Sequence, residues 1–473
     1  MKKLLILSLL MALIFSCFSI ITVKGMSYNY DYFGKAVHAP AAYSYKTEIN
    51  SHSANISSFV RLADVEVHND KIYVLDEAIG LYVFDSDMNF LYHFQSFINE
   101  NETTDRLRRS TSIAVTDEYI YVADTDTERI AILSHYDENG QDLHNIRYVK
   151  SIYMPEDIPS MQNIAFKPLK IDVDRSGRIF VINRDVYEGL MEFDFDGNFK
   201  QFYGTNEVEI NLIDYFWRQV ISDEARSRLQ LYLPVVFTAL AIDSSGFVYT
   251  TTESANVNPI QKFNYKGEDI LIQNGNIPVI GDVSSEPDNK STFRAIDIND
   301  YGIYIALDRT MNRIFSYNDN GELLYIIGNR GSTIGTFEVP SSIKWFGDNI
   351  LILDQSLGKV FIFEPTEYGN NINQAVYHYY HGDFETSKDY WEEVLKLNTN
   401  YDLAYVGIGK VFYQNEQYQE AVEFFRLGNN RVYYSRAYEK YRNEWLRSNF
   451  TWLFLGAVVL IGTAGYSLRR KPE

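Results

Sequence analysis

Residues 166–183 read FKPLKIDVDRSGRIFVIN and contain the pattern that decides the fold of this chain. Apolar and polar residues alternate up to a turn of Asp and Gly, and a second run of Ile, Phe and Val follows at once. Alternation with a period of two residues around a tight turn is typical of a β-hairpin. This stretch therefore predicts two neighbouring antiparallel strands.

Five further segments of the chain repeat this pattern. They read ADVEVHNDKIYVLD, TSIAVTDEYIYVAD, TALAIDSSGFVYTTT, RAIDINDYGIYIALD and SSIKWFGDNILILD. The six segments close on polar residues that recur at uneven intervals, namely Asp76, Asp124, Asn183, Thr251, Asp308 and Asp354. After most of them a third strand with a hairpin turn follows, as at Asp196-Gly197 and Asn320-Gly321. Repeats of roughly 40–50 residues with about four strands each are typical of propeller blades, so the pattern predicts six blades within residues 26–368.

These segments resemble the NHL-repeat family of β-propellers. The best match is YIIGNRGSTIGTFEVPSSIKW at residues 325–345, whose glycines, with Phe337 and Pro340, match the family's loop between blades. The resemblance covers about 300 residues and implies a six-bladed β-propeller, so the fold class is expected to be mainly β. Because closure of the ring removes exposed sheet edges, the strand-like residues 28–37 (YNYDYFGKAV) are predicted to complete the last blade.

In the last quarter of the chain the apolar period becomes helical. The tripeptides GDF at residues 382–384 and EQY at residues 416–418 lie about 34 residues apart, and Ser387 and Ala421 occupy matching small positions. A helix–turn–helix unit of about 34 residues resembles the tetratricopeptide repeat. We therefore predict tetratricopeptide-like helical repeats over residues 371–447. Two units and a capping helix are few for independent stability, so docking against the propeller or a partner is expected.

Both ends of the chain carry membrane signals. Residues 1–25 begin with two lysines that precede an apolar run, the pattern of a cleaved secretory signal peptide. Residues 448–468 contain no charged residue and are long enough to cross a bilayer core of about 30 Å. The basic residues of the tail, 469–473, favour the cytoplasmic side. We therefore predict a single-pass protein of the cell membrane with a large extracellular N-terminal domain and a short cytoplasmic tail.

The composition limits the partners and the chemistry. An excess of acidic residues, 63 against 43 basic ones, gives the 473-residue chain a formal net charge of −20. This field is opposite to that of a nucleic-acid-binding surface, so we expect no nucleic-acid partner. The single cysteine, Cys17, lies within the predicted signal peptide and excludes a disulfide framework. No nucleotide-binding, serine-hydrolase or zinc-protease motif occurs in the sequence.

The inner strands of a propeller line its channel, and here they carry charged residues. The residues predicted to bind a ligand at the channel mouth are Arg61, Asp64, Lys170, Arg294 and Lys344, and the four basic ones among them would suit an acidic ligand. Six-bladed gluconolactonase-like enzymes resemble this strand pattern and hold a divalent metal through Glu, Asn and Asp in the channel. The inner-strand candidates for such a site are Asp64, Glu66, Lys170, Asp172, Arg294, Asp297 and Lys344. The lysines and the arginine would oppose a bound cation.

The sequence therefore favours a non-enzymatic, membrane-anchored extracellular scaffold that uses no cofactor. Its propeller and helical repeats are expected to mediate interactions with a protein or a glycan. The whole architecture resembles a group of Gram-positive bacterial surface proteins, some of them encoded near sugar-uptake transporters. That resemblance implies an accessory role for such a transporter or for another membrane complex. The alternative is a metal-dependent, gluconolactonase-like hydrolase.

Overall fold

The computed structural model describes residues 27–53, 55–56, 58–99, 101–136, 142–155, 164–204, 236–253, 258–283 and 290–469. In this part of the chain a six-bladed β-propeller is followed by a region of five α-helices. The fold class predicted from the strand repeats is confirmed. The predicted signal peptide and the last four residues of the predicted tail lie outside the described residues.

Three strands precede the first blade, namely β1 (Tyr28–Tyr30), β2 (Ala36–His38) and β3 (Tyr43–Ile49). Blade 1 consists of β4 (Leu62–His68), β5 (Lys71–Asp76), β6 (Gly80–Phe84) and β7 (Phe90–Phe94). A small hairpin follows, β8 (Ser96–Ile98) and β9 (Thr104–Arg106). Blade 2 consists of β10 (Ser110–Val115), β11 (Tyr119–Asp124), β12 (Arg129–Tyr136) and β13 (Asp142–Ile152). Blade 3 consists of β14 (Pro168–Val173), β15 (Ile179–Asn183), β16 (Leu190–Phe193) and β17 (Phe199–Tyr203).

Blade 4 has three strands among the described residues, β18 (Phe237–Ile242), β19 (Val248–Thr252) and β20 (Ile260–Phe263). Blade 5 consists of β21 (Phe293–Ile298), β22 (Tyr304–Asp308), β23 (Ile314–Tyr317) and β24 (Leu323–Ile327). Blade 6 takes β25 (Pro340–Phe346), β26 (Asn349–Asp354) and β27 (Lys359–Pro365) from the end of the propeller. The first strands of neighbouring blades contact each other around the whole ring, with β25 returning to β4.

The ring is closed by β3, which pairs antiparallel with β27 from Tyr43 opposite Pro365 to Ile49 opposite Val360. The prediction that residues 28–37 complete the last blade is therefore wrong. Those residues form β1 and the start of β2, which pair with each other as a separate hairpin. The physical argument for closure holds, since an N-terminal strand covers the edge of the last blade. The closing strand is the next one along the chain after that hairpin.

The aspartates that end the second strands of blades 1 and 6 accept hydrogen bonds from backbone N–H groups. The Asp76 carboxylate accepts N–H groups from Val60 at 2.7 Å and from Arg61 at 2.9 Å, before its own blade, and from Ala78 at 3.0 Å in the following turn. Asp354 does the same for four backbone N–H groups in blade 6. These buried aspartates tie neighbouring blades together, because each satisfies donors that would otherwise lack a partner.

The hairpin turns predicted at Asp196-Gly197 and Asn320-Gly321 are confirmed. Gly197 and Gly321 have φ angles of 90° and 70°, a left-handed backbone conformation that glycine adopts without strain. Their N–H groups donate to the carbonyls of Asp194 and Asn318, three residues earlier. These turns lead from β16 to β17 and from β23 to β24.

The helical region begins two residues after β27 and consists of two antiparallel pairs and one long helix. The helices are α1 (Glu367–Tyr380), α2 (Phe384–Leu397), α3 (Asp402–Gln414), α4 (Tyr418–Leu427) and α5 (Arg431–Arg469). Gly382 and Glu416, which occupy matching positions in the two pairs, both have positive φ at the turns between the paired helices. The small residues Ser387 and Ala421 are both fully buried. The two pairs therefore repeat the same local geometry.

Helix α5 is the one helix in the described part of the chain that is long and apolar enough to cross a membrane. Its first turns pack on α4, where Ala437 is fully buried beside Phe425. Its apolar stretch is not buried against any other part of the described chain. At 1.5 Å per residue, its 39 residues extend about 58 Å without a break.

Candidate binding sites in the channel and at the propeller–helix seam

The channel is lined by the first strands of the six blades, and each of these strands has a register shift between its first and third residues. The third residues, which we call the first level, are Asp64, Ser112, Lys170, Ala239, Ala295 and Ser342. Side chains on a strand alternate between its two faces, so residues two positions further return to the channel. Among them four are charged and form the second level, namely Glu66, Asp172, Asp297 and Lys344.

At the first level Asp64 is the centre of a closed group of hydrogen bonds. Its Oδ1 accepts from Ser342 Oγ at 2.6 Å, and its Oδ2 accepts from Ser112 Oγ at 2.7 Å. Lys170 Nζ lies 3.2 Å from Oδ2. Burial alone would raise the pKa of Asp64, but Lys170 and the two serine hydroxyls hold it below its usual value. The carboxylate is therefore satisfied by groups of the protein itself.

At the second level one ammonium group faces three carboxyl groups. Lys344 Nζ lies 2.9 Å from Glu66 Oε2 and 3.2 Å from Asp297 Oδ1. The third carboxyl group, Asp172, accepts the backbone N–H of Ile242 at 3.0 Å. With all four groups ionised, this level would carry an excess of negative charge in a buried environment, which is unfavourable.

Protonation relieves this excess of charge. Burial raises the pKa of Glu66 to about 7 and that of Asp172 to about 6, although Lys344 opposes both shifts. Burial also raises the pKa of Asp297. Burial would lower the pKa of Lys344, but the three carboxyl groups raise it well above its usual value, so the lysine stays charged. The second level therefore takes up protons between about pH 8 and pH 5.

Side chains fill most of the channel. The space left between the two levels is about 20 Å³, which is enough for one water molecule. Within the described parts of the chain, no group of three or more His, Cys, Asp or Glu residues is placed to hold a metal ion. The ammonium group of Lys344 lies between the carboxylates where a cation would have to bind. These residues do not fit the metal site of a gluconolactonase-like enzyme.

Three of the five predicted channel-mouth residues come together in the channel, and two lie apart from it. Asp64, Lys170 and Lys344 line the filled channel as described. The Arg61 side chain is largely exposed and pairs with Glu77, with Nη1 and Oε2 at 3.2 Å. Arg294 Nη1 donates to the carbonyl of Pro340 at 2.8 Å.

The helical region is joined to the propeller by a buried interface that we call the seam. On the propeller it is formed by Tyr43, Glu322, Leu324 and Tyr325, and on the helices by Asn373, Tyr401 and Lys410. This interface agrees with the expectation that so short a helical region needs a surface to dock on. The sequence alone did not identify this surface.

Side-chain hydrogen bonds fix the register of the seam. The Tyr325 hydroxyl donates to Asn373 Oδ1 at 2.8 Å, and Asn373 Nδ2 donates to the Tyr43 hydroxyl at 2.8 Å. The Tyr401 hydroxyl donates to the Leu324 carbonyl at 2.6 Å. All of these groups are buried, so each would lose its partner if the helices moved.

A buried ion pair is the strongest electrostatic contact of the seam. Lys410 Nζ on α3 lies 2.7 Å and 3.0 Å from the two carboxylate oxygens of Glu322, which precedes β24. Asn318 Nδ2 also donates to Glu322, at 2.8 Å. Burial would lower the pKa of Lys410, but Glu322 raises it above its usual value, so the lysine stays charged.

Among the described residues several clefts open between the propeller and the helices, and two of them contain seam residues from both sides. The first, the seam cleft, has a volume of about 260 Å³. Its propeller side contains Tyr301, Asp319 and Asn320, and its helix side contains Tyr379, Tyr380, Trp391, Gly407 and Lys410. The second, the hairpin cleft, has a volume of about 520 Å³ and lies between the β1–β2 hairpin, the propeller and the turn from α2 to α3. Asparagines and tyrosines dominate its lining, among them Asn29, Tyr32, Asn398, Asn400, Tyr405 and Asn429.

The β1–β2 hairpin is held against blade 5 by a polar group of four side chains. The Tyr28 hydroxyl donates to Asp282 Oδ1 at 2.8 Å and accepts from Arg313 Nη1 at 3.0 Å. Tyr30 and Arg313 also contact the Asp282 carboxylate. Burial raises the pKa of Tyr30 to about 12, so its hydroxyl remains a donor at any physiological pH. The hairpin is therefore a fixed wall of the hairpin cleft.

The fold and these sites define a six-bladed β-propeller with a side-chain-filled channel and a helical region docked on its last two blades. No protein-family model matches the chain, and no curated protein matches it. Among solved structures it is similar to a virginiamycin B lyase from Staphylococcus aureus, with 11% identity and a TM-score of 0.38 over 67% of this chain and 98% of that one. A streptogramin B lyase gives 11% identity and a TM-score of 0.41 over 69% of this chain and 100% of that one.

A protein of unknown function from Bacteroides thetaiotaomicron gives 10% identity and a TM-score of 0.41, over 70% of this chain and 80% of that one. At such values the similarity says nothing about the ligand or the activity of this chain.

Proposed function

We propose that this protein is a non-enzymatic, membrane-anchored extracellular scaffold that binds a protein or a glycan partner. The observation that carries the proposal is the seam, where buried hydrogen bonds and the Lys410–Glu322 pair join the helical region to the propeller and leave open clefts between them. Concave sites where two structural units meet are common places for ligands. The channel, by contrast, is filled by side chains that satisfy one another.

The helical pairs act in this proposal as tetratricopeptide-like repeats, and the blades act as NHL-like repeats. The matching turns at Gly382 and Glu416 support the first assignment. The glycine-rich loop of residues 328–335, which joins blades 5 and 6, supports the second. Both repeat types serve mainly as interaction surfaces in other proteins, which is why we favour binding over catalysis.

The membrane side of the proposal depends on α5. Its apolar stretch would cross the bilayer once, and the basic residues that follow it would lie in the cytoplasm. The propeller and the clefts would then face the exterior, after removal of the signal peptide of residues 1–25. The partner that we propose is a cell-surface or membrane complex. Among such complexes we favour a sugar-uptake transporter. Nucleic acid is not among the partners that we propose.

Crosslinking on intact cells tests the function. The full-length protein is tagged, crosslinked, extracted in detergent and purified, and its partners are identified by mass spectrometry. The matched control lacks residues 27–447 and keeps the leader and the span. Recovery of a permease or its solute-binding protein with the full chain, and not with the control, is the expected result. Recovery of the protein alone, or of the same proteins with both chains, would refute the scaffold proposal.

A further inference from the structure

The seam cleft has the size and shape of a site for one small ring. Its volume of about 260 Å³ is below the roughly 300–1,000 Å³ of sites for drug-sized ligands, so it holds a single ring and not an extended chain. The ring of Tyr380 is 55% exposed at the edge of the cleft, and the ring of Trp391 is 4% exposed in its wall. A flat ligand with one apolar face can therefore pack against an aromatic surface on entering.

Several neutral polar groups of the cleft have no hydrogen-bond partner among the described residues, although Asn318 and Tyr301 do. The side chain of Trp391 is almost completely buried, but its indole nitrogen is not closed off from solvent and has no hydrogen-bond partner among the described residues. The hydroxyl groups of Tyr379 and Tyr380 and the side-chain amide of Asn320 also have no partner within the described part of the chain. A ligand that displaces water from these groups has to supply equivalent donors and acceptors.

Gly407 lets the indole ring of Trp391 pack directly against α3. A Cβ atom at this position would lie 2.3 Å from Trp391 Nε1, so any other residue would collide with the ring. Gly407 lines the same cleft as Trp391. Helix α3 therefore has its glycine where the indole in the cleft wall needs the room, although glycine lowers the stability of a helix.

The charged groups of the cleft are already neutralised in pairs. Lys410 is paired with Glu322 at 2.7 Å, and Asp319 is paired with Lys262 at 2.6 Å. An anion would meet the carboxylates and a cation would meet the ammonium groups, and either would have to break an existing pair. The cleft is therefore suited to an uncharged ligand with several hydroxyl groups and one apolar face.

We propose that the seam cleft binds a neutral sugar ring, which stacks on Tyr380 and accepts a hydrogen bond from the indole N–H of Trp391. The proposal rests on the binding function proposed above and names the ligand class for one site of the scaffold. Hydroxyl groups both donate and accept, so they match the mixture of indole, phenol and amide groups in the cleft. A peptide segment would need room for a chain of backbone amides, which the volume of the cleft does not provide.

Saturation-transfer NMR on the full-length protein in detergent micelles tests the inference. The probes are glucose, galactose, mannose, N-acetylglucosamine and maltose, with a neutral tetrapeptide as the comparison ligand. We expect signal transfer to at least one saccharide. We expect Trp391→Phe, which keeps the ring and removes the N–H, to weaken its binding about three- to tenfold. Tyr380→Ala is expected to weaken it as well, through loss of the stacking surface.

Trp445→Phe is the matched control, because Trp445 lies on the exposed part of α5 away from the cleft. Equal binding by the Trp391→Phe and Trp445→Phe variants would overturn the proposal, as would transfer to the tetrapeptide and to none of the saccharides. Circular dichroism shows whether each variant folds. If Trp391→Phe does not fold, the proposal is tested by the loss of saccharide binding in Tyr380→Ala. If the saccharides fail while crosslinking still recovers a partner, the scaffold function stands without this site.

Discussion

At the scale of single residues, the balance of charge in the channel explains why its two lysines are not equivalent. Lys170 assists one carboxylate, Asp64, that two serine hydroxyls also satisfy. Lys344 is the counter-ion for a second level with three carboxyl groups. Removing one partner from a buried ionic group leaves the others uncompensated, which costs more than losing one of several hydrogen bonds.

We therefore expect Lys344→Met to reduce the free energy of unfolding by about 3–5 kcal/mol near pH 7. At pH 5 the loss should be smaller, because the carboxyl groups that lost their counter-ion are then largely protonated. Lys170→Met serves as the matched control and should cost less at both pH values. Urea unfolding of the full-length protein in detergent measures both variants. Equal losses at pH 7 would show that the second level does not depend on Lys344.

The raised pKa of Glu66 predicts a pH dependence of stability. Its pKa is about 7 in the folded protein and about 4.3 in the unfolded chain, so the folded state binds the proton more tightly between these values. The stabilisation is complete below about pH 4 and is lost as the pH rises through 7. Glu66→Gln, which is neutral at every pH, should remove about 3 kcal/mol of the fall in unfolding free energy between pH 5 and pH 8.

Thermal unfolding at several pH values checks this prediction. The control is Glu118→Gln, which changes an exposed glutamate at the turn before β11 and should leave the pH profile as in the unmodified protein. An unchanged profile in Glu66→Gln would mean that this carboxyl group is ionised throughout the range.

The charged residues of the channel could be predicted from sequence because strand side chains alternate with a strict period of two. Asp64, Lys170 and Lys344 lie in the channel for that reason. Their partners could not be predicted, because the shared register shift that puts Asp64, Ser112 and Ser342 at one level is a property of the paired strands. Arg294, at the second position of its strand, lies within that shift, and its Nη1 is bonded to a backbone carbonyl.

At the scale of elements, the seam decides whether the helices and the propeller act as one body. The sequence of α3 contains a visible signal of this interface, since Lys410 is the one charged residue in the apolar stretch LAYVGIGKVFY at residues 403–413. A lone charge on a buried helix face needs a partner, and the partner lies 88 residues away in blade 5. Sequence alone predicts the need for that partner but not its identity.

We expect Lys410→Met to lower the free energy of unfolding by about 3–5 kcal/mol, because it leaves the Glu322 carboxylate buried and unpaired. Lys396→Met removes an exposed ion pair with Glu393 on α2 and should leave the free energy of unfolding nearly unchanged. Urea unfolding compares the two variants. Hydrogen exchange should show faster exchange in α1–α3 for Lys410→Met alone. If both variants behaved alike, the ion pair would not hold the seam.

The ring closure shows a limit of pattern reading at this scale. Residues 28–37 alternate as regularly as β3 does, and both precede the first blade. The structure distinguishes them by long-range pairing, since β3 matches β27 over its full length and β1 pairs only with β2. Local alternation specifies that a strand forms, whereas tertiary packing decides which edge it covers.

At the scale of the whole molecule, the propeller and the docked helices form a body that continues into a single helix. Helix α5 leaves this body after Ala437, and the predicted span begins at residue 448. If that span crosses a bilayer, about ten residues of helix would separate the body from the membrane surface, a distance of roughly 15 Å. A body held so close to the bilayer by one rigid helix would present its clefts at a fixed height to a neighbouring membrane protein.

The orientation of this body can be tested because Cys17, the one cysteine in the chain, lies in the predicted signal peptide. The mature protein should therefore not react with a membrane-impermeant maleimide. Tyr265→Cys places a thiol at a residue that is 71% exposed on blade 4, and it should be labelled on intact cells. Glu473→Cys places one at the end of the tail, and it should be labelled only after the cells are permeabilised, because the basic residues keep the tail inside. The reverse pattern would place the propeller in the cytoplasm, and labelling of the unmodified protein in permeabilised cells would show that the leader is retained.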